Sequence, residues 1–243
     1  MVERLRHLNQ RIREKGTWNT VKYAKLRIVD SFHEWRMGIT TRENLDLSSF
    51  GINDPLCHCY CPTDYTSFRK VMKHVNVVPN TDVFLDFGSG LGRTIIMAGF
   101  YPFKRIIGVE LVPELIDRAI CNIERVRTRL KCKDIELVHA NAVDYVLPLD
   151  VTVIYFFSPF SGAILSQALD NVRRSWLGSP RKLSIIFKNP PYFETEALKH
   201  PWLSKRAEYS KLSEHKYVIY EPLSSQITNV GESAKKPPMH AGR

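Results

Sequence analysis

The stretch Val83-Phe-Leu-Asp-Phe-Gly-Ser-Gly-Leu-Gly-Arg93 constrains this chain more than any other. Val83 to Phe87 reads as a buried strand, Gly88 to Gly92 as a turn, and Arg93 to Phe100 as a helix. Glycines at alternate positions permit positive φ and let a ligand approach the bare main chain. The helix start then offers N–H groups to a negative ligand group. Glu110, 24 residues after Asp86, ends the next strand, where a carboxylate can accept from both hydroxyls of a ribose. A dinucleotide would need Gly-x-Gly-x-x-Gly. Here the third glycine comes one residue early, at Gly92, with Arg93 in its place, and Asp86 would repel a pyrophosphate. The dinucleotide is disfavoured.

The pattern around this turn is regular. Strands are expected at Arg105–Glu110, Ile135–His139, Val151–Phe157, Leu183–Lys188 and Tyr217–Tyr220, with helices over Glu114–Lys131 and Ala163–Leu177. Such alternation predicts an α/β chain with a doubly wound, mostly parallel sheet covered on both faces. An N-terminal helical extension precedes it. Residues 1–62 read as this basic extension and an irregular lead-in, 63–223 as the ligand-binding domain, and 224–243 as a disordered tail. In the extension Leu5, Leu8 and Ile12, then Val21, Ala24, Ile28 and Phe32, recur at helical intervals, with a break at Gly16 and Thr17. That stripe is expected to dock on the main domain; a membrane or nucleic-acid face is the alternative. A helix from Asp64 to His74 is expected to be capped by Thr63.

Hydrophobic content of 44% and charged content of 25% are those of an ordinary globular chain. The longest unbroken apolar run is five residues, Val153 to Phe157, too short to span a bilayer, and no secretory signal opens the sequence. A cytoplasmic location is expected. The net charge of +10 is uneven: residues 83–160 are neutral, with 9 basic and 9 acidic side chains. Residues 1–82 carry 13 and 9, and residues 161–243 carry 13 and 7. Basic flanks suit an acidic macromolecule or anionic lipid, or else a merely solvated surface. Cys57, Cys59 and Cys61 alternate, which suits a strand with one buried cysteine face better than a zinc site. No metal is expected.

Leu-Asp-Phe-Gly-Ser-Gly-Leu-Gly, Gly108-Val-Glu-Leu111, His139-Ala-Asn-Ala-Val-Asp144 and Val153-Ile-Tyr-Phe-Phe-Ser-Pro-Phe160 together resemble the successive motifs of the class I S-adenosylmethionine (SAM) methyltransferases. The resemblance covers about residues 60–190. It looks closest to small bacterial members, and Asp-x-Gly-Ser-Gly-x-Gly with Gly-Val-Glu is also similar to the non-SET histone lysine methyltransferases. It implies a Rossmann-like fold, SAM as cofactor, and methyl transfer to an unidentified nucleophile: protein lysine, RNA or a small molecule. The alternative is an inactive binding or scaffold module on the same fold.

The resemblance also implies residue roles. Asp86 would hold the methionine amino group, and Gly88, Ser89, Gly90 and Gly92 would cradle the amino-acid end. Glu110 would bind the ribose, and Leu111 would pack on adenine beside Ala142. Asn141 stands where the family has an acid; its amide oxygen can still accept from the adenine amine. Tyr60-Cys-Pro-Thr63 with Tyr65 resembles a segment that closes over the cofactor. At the fourth strand exit, Phe156, Phe157 and Phe160 would line a dry pocket, with Ser158 and Phe160 nearest the transferred methyl. Asn189-Pro-Pro-Tyr192 resembles an amino-methylating signature but follows the fifth strand, so a plain turn is the preferred reading. No residue stands out as a catalytic base.

Overall fold

The computed structural model describes residues 16–210 and 216–223. The expected helix over residues 2–15 and the expected tail at 224–243 lie outside the described residues. Strands β1 (Val83–Phe87), β2 (Arg105–Glu110), β3 (Ile135–His139), β4 (Val151–Phe156), β5 (Ser184–Lys188), β6 (Leu203–Tyr209) and β7 (Tyr217–Pro222) form one sheet. Its order is β3-β2-β1-β4-β5-β7-β6. The first five strands run parallel, while β7 pairs antiparallel with both β5 and β6. Strand order therefore reverses direction between β1 and β4, the topological switch point of a doubly wound sheet.

Helices α1 (Thr17–Met37), α2 (Tyr65–Met72), α3 (Arg93–Gly99), α4 (Pro113–Val126), α5 (Gly162–Gly178) and α6 (Pro191–Ala197) accompany the sheet. Alternate residues of β1 serve two cores. Phe84 packs with Phe68, Ile95, Ile123 and Met97, whereas Leu85 and Phe87 pack with Leu169, Val172, Trp176 and Phe193. Burial on both faces is why these strands read as near-continuous apolar runs. Met37 and Ile39 join the first of these cores, so the lead-in packs with the domain that follows it.

Several expectations need correction. The α2 cap is Asp64, whose carboxylate accepts from the Ser67 N–H at 2.8 Å, because the helix begins one residue later than the Thr63 reading required. The three alternating cysteines form no strand; Cys59 and Cys61 are exposed, and Cys57 makes only an isolated bridge to Phe160. Asn189-Pro-Pro-Tyr is more than a turn, since Pro190 caps α6 and Pro191 opens it. The Val21, Ala24, Ile28 and Phe32 stripe faces outward, and α1 docks by its opposite, polar side. Among the described residues, no helix is long and apolar enough to cross a membrane.

Candidate active site

An open cleft lies beyond the carboxyl ends of β1 and β4. Open α/β sheets place ligands there because neighbouring connections diverge at the switch point. Gly88 and Ser89 line it, whereas Gly90 lies under the Tyr60 ring and Gly92 packs on Ala119, so neither of these two glycines lines the cleft. Gly88 and Ser89 donate their N–H groups to the Val109 carbonyl at 2.9 and 3.1 Å, which ties the turn to β2. Gly90 has φ +52°, and a Cβ there would stand 2.2 Å from the Tyr60 ring. At Gly88, φ is +73° and a Cβ would meet Pro159 at 2.5 Å. The turn is thus closed from above by Tyr60 and from the β4 exit by Pro159. Gly92 directly precedes α3.

Asp86 and Glu110, at the ends of the first two strands, are both buried and both line the cleft. Burial, and next the charge of Glu110, push the Asp86 carboxyl well above its usual range, against a hydrogen bond with Thr94. Burial also pushes Glu110 up. Three main-chain donors oppose this: Gly90 N–H at 2.7 Å, Leu111 N–H at 2.9 Å and Val112 N–H at 3.1 Å. Ser89 lines the cleft, but its hydroxyl is buried against Gly108 of β2 and has no hydrogen-bond partner among the described residues. Two buried carboxylates lining one cleft suit a ligand carrying positive charge and hydroxyl groups.

Leu111, Asn141, Ala142, Phe157 and Phe160 line the cleft. The Asn141 amide oxygen accepts from the Val143 N–H at 3.2 Å, leaving one lone pair for a ligand. Phe156 is not among the lining residues; it is fully buried and stacks between Phe87 and Phe187. Ser158 turns away as well. Its hydroxyl donates to the carbonyls of Asn189 at 2.7 Å and Lys188 at 3.2 Å, so it clamps the β4 exit to the β5 exit.

Sequence reasoning missed three contributors. Arg93 is buried and binds Asp30 at 3.1 Å and Glu34 at 2.7 Å, fastening α1 behind the turn. Two carboxylates four apart in an otherwise basic helix were its signal. Lys188, buried at the end of β5, lies 3.9 Å from the Phe157 ring centre and 3.5 Å from Asp64, and so backs a cleft wall. His58 lines the cleft, stacks on Tyr192 at 5.1 Å, and has a solvent-excluded Nε2 with no partner among the described residues. Burial pushes its pKa down, because the protonated ring would lose hydration there.

Residues 57–144 match the family of the histone methylation protein DOT1. Among solved structures, precorrin 8W decarboxylase of Methanobacterium thermoautotrophicum has a TM-score of 0.51 and 19% identity, covering 71% of this chain and 96% of that one. A Methanococcus maripaludis protein, provisionally described as a SAM-dependent methyltransferase, has a TM-score of 0.51 and 11% identity over 66% of this chain and 86% of its own. The chain has the class I methyltransferase fold. No curated protein matches its sequence significantly. The DOT1 match begins at Cys57, so it takes in Tyr60 and Thr63 as well as the glycine turn of this methyltransferase fold.

One consequence of the cradle can be tested directly. Gly90→Ala forces both an unfavourable left-handed residue and a collision with Tyr60, whose hydroxyl is tied to the Thr41 carbonyl at 3.0 Å. Affinity for S-adenosylhomocysteine, measured by calorimetry, should fall by at least about tenfold. Unchanged affinity would show that Tyr60 does not close this turn.

Proposed function

We propose that the protein transfers the methyl group of SAM by in-line displacement to a protein side-chain amine. The observation that carries this reading is the pair of buried carboxylates, Asp86 and Glu110, lining one cleft together with Gly88 and Ser89. In it Asp86 holds the methionine ammonium, and Gly88, Ser89, Gly90 and Gly92 cradle the amino-acid end. Glu110 accepts from the ribose hydroxyls, Leu111 and Ala142 cover adenine, and the free lone pair of Asn141 accepts from its amino group. When bound, SAM supplies an electrophilic methyl on a positively charged sulfur. Phe157 and Phe160 exclude water from the side where an acceptor must enter, which favours loss of charge in the transition state. Ser158 contributes by fixing the strand exit that carries Phe157, Pro159 and Phe160.

The DOT1 match favours a protein amine over RNA or a small molecule, because it extends through the loop that closes the cleft. One observation favours the scaffold reading: Asn141 replaces the expected acid and already bonds Val143. Transfer of labelled methyl from SAM into lysate, separated into protein, nucleic-acid and small-molecule pools, tests both. Label should enter protein. Label in nucleic acid or small molecules alone would replace the acceptor class. S-adenosylhomocysteine binding without transfer to any pool would leave the scaffold reading, and no binding at all would sink the cofactor assignment.

A further inference from the structure

Helix α1 is docked with its polar side inward. Asp30 and Glu34, its two acidic residues, are buried against Arg93, and Glu34 also accepts from the Thr41 N–H at 2.9 Å. The opposite side exposes Val21, Ile28, Phe32 and Trp35, with Ile28 68%, Phe32 53% and Trp35 78% accessible. At 100° per residue these four share one stripe, about 21 Å long at 1.5 Å per residue. Phe32 and Trp35 pair along it, with ring centres 6.1 Å apart. Exposed Lys25 and Arg36 fall beside the stripe on the same wheel. Two more exposed cations gather at its C-terminal end. Arg129 donates to the Arg36 carbonyl and Arg125 to the Gly38 carbonyl, both at 3.1 Å.

We infer that this face docks the protein onto an anionic lipid surface. An amphipathic helix with aromatic and aliphatic side chains flanked by cations lies in the headgroup plane, its apolar side sunk below the phosphates. Each competing occupant satisfies only half of the surface. A second copy would bring a further Lys25 and Arg36 to the contact but no free carboxylate from α1, since Asp30 and Glu34 are buried and paired with arginines. Nucleic acid would pair the cations and stack bases on Phe32 and Trp35, but would offer nothing to the aliphatic Val21 and Ile28. A bilayer serves both. The inference does not depend on the reaction the cleft performs, and the cleft lies on other elements.

Sedimentation of the full chain with lipid vesicles tests it. Vesicles of phosphatidylcholine with about 30% phosphatidylserine, at about 0.1 M salt, should bind the protein at least about tenfold more tightly than phosphatidylcholine alone, and raised salt should release it. Trp35 emission should shift to shorter wavelength on binding, and the shift should vanish in Trp35→Phe. Ile28→Glu and Trp35→Glu should each weaken binding about tenfold or more with an unchanged melting temperature, whereas Phe32→Leu should retain it. Three results would overturn the inference. These are no binding to the anionic vesicles at low salt, a concentration-dependent dimer that Ile28→Glu dissociates, or RNA binding without vesicle binding.

Discussion

Arg93→Met should lower the unfolding free energy by about 3–5 kcal/mol, the scale set by removing one side of a buried ion pair. The guanidinium is buried, and every group it binds comes from the segment before β1. It pairs with Asp30 and Glu34 of α1, donates to the Thr41 hydroxyl at 2.7 Å and to the Thr63 carbonyl at 3.2 Å, and lies 5.1 Å from the centre of the Tyr65 ring. Methionine fills most of the volume but leaves Asp30 buried without its cation and Glu34 paired with Arg42 alone, at 2.8 Å. Burial already raises the Asp30 carboxyl above its usual range, with Arg93 the largest opposing influence. The loss therefore comes chiefly from stranded charge. Adding Asp30→Asn and Glu34→Gln to Arg93→Met should restore much of the stability, because removing both sides of such a network is far less costly than removing one. Urea unfolding of the three proteins decides it. If the triple variant is no more stable than the single one, packing around Arg93 matters more than its charge.

The same residue shows where sequence reasoning reached its limit. An apolar stripe at helical spacing ordinarily marks the buried side, and Val21, Ala24, Ile28 and Phe32 have that spacing. The outcome was reversed because a single buried guanidinium on α3, 59 residues beyond Glu34, binds both carboxylates of α1. Periodicity reports how apolar residues are arranged along one element and carries no information about a charge arriving from another. The central strands were legible because parallel strands buried on both faces are nearly all apolar. Strand β6, Leu-Ser-Lys-Arg-Ala-Glu-Tyr, was not. It lies at the sheet edge and is charged and half exposed, as edge strands commonly are.

Within the cleft, motif spacing brought Asp86, the glycine turn, Glu110, Leu111, Asn141 and Ala142 together, since all are fixed by strand ends of one sheet. The walls were harder to read. Tyr60 reaches Gly90 through an irregular loop, Lys188 approaches Phe157 across two strands, and Ser158 rotates toward β5 because its φ is +43°. Side-chain direction at a strand exit depends on local backbone conformation that alternation cannot supply.

Glu110→Ala should weaken S-adenosylhomocysteine by roughly 2–4 kcal/mol, given ~1.5–3 for each hydrogen bond to a charged group and partial replacement by water. The substitution also strips the partner from the Gly90, Leu111 and Val112 N–H groups, so Glu110→Gln separates lost charge from a collapsed cradle. The pH dependence provides a sharper test. Aspartate and glutamate ordinarily titrate near 3.8 and 4.5, and both Asp86 and Glu110 are raised in the folded chain. Between the ordinary and raised values the folded state holds more protons than the unfolded one. The stability this contributes to the free protein is complete below the ordinary values and lost as pH rises through the raised ones. A cationic cofactor requires the ionised forms, so its affinity should rise over that same interval. Melting and calorimetry across that interval should thus show opposite slopes, as linkage requires. Asp86→Asn should flatten both, raising the melting temperature of the free protein at neutral pH while lowering cofactor affinity. Slopes of the same sign would mean that these carboxylates do not receive the cofactor.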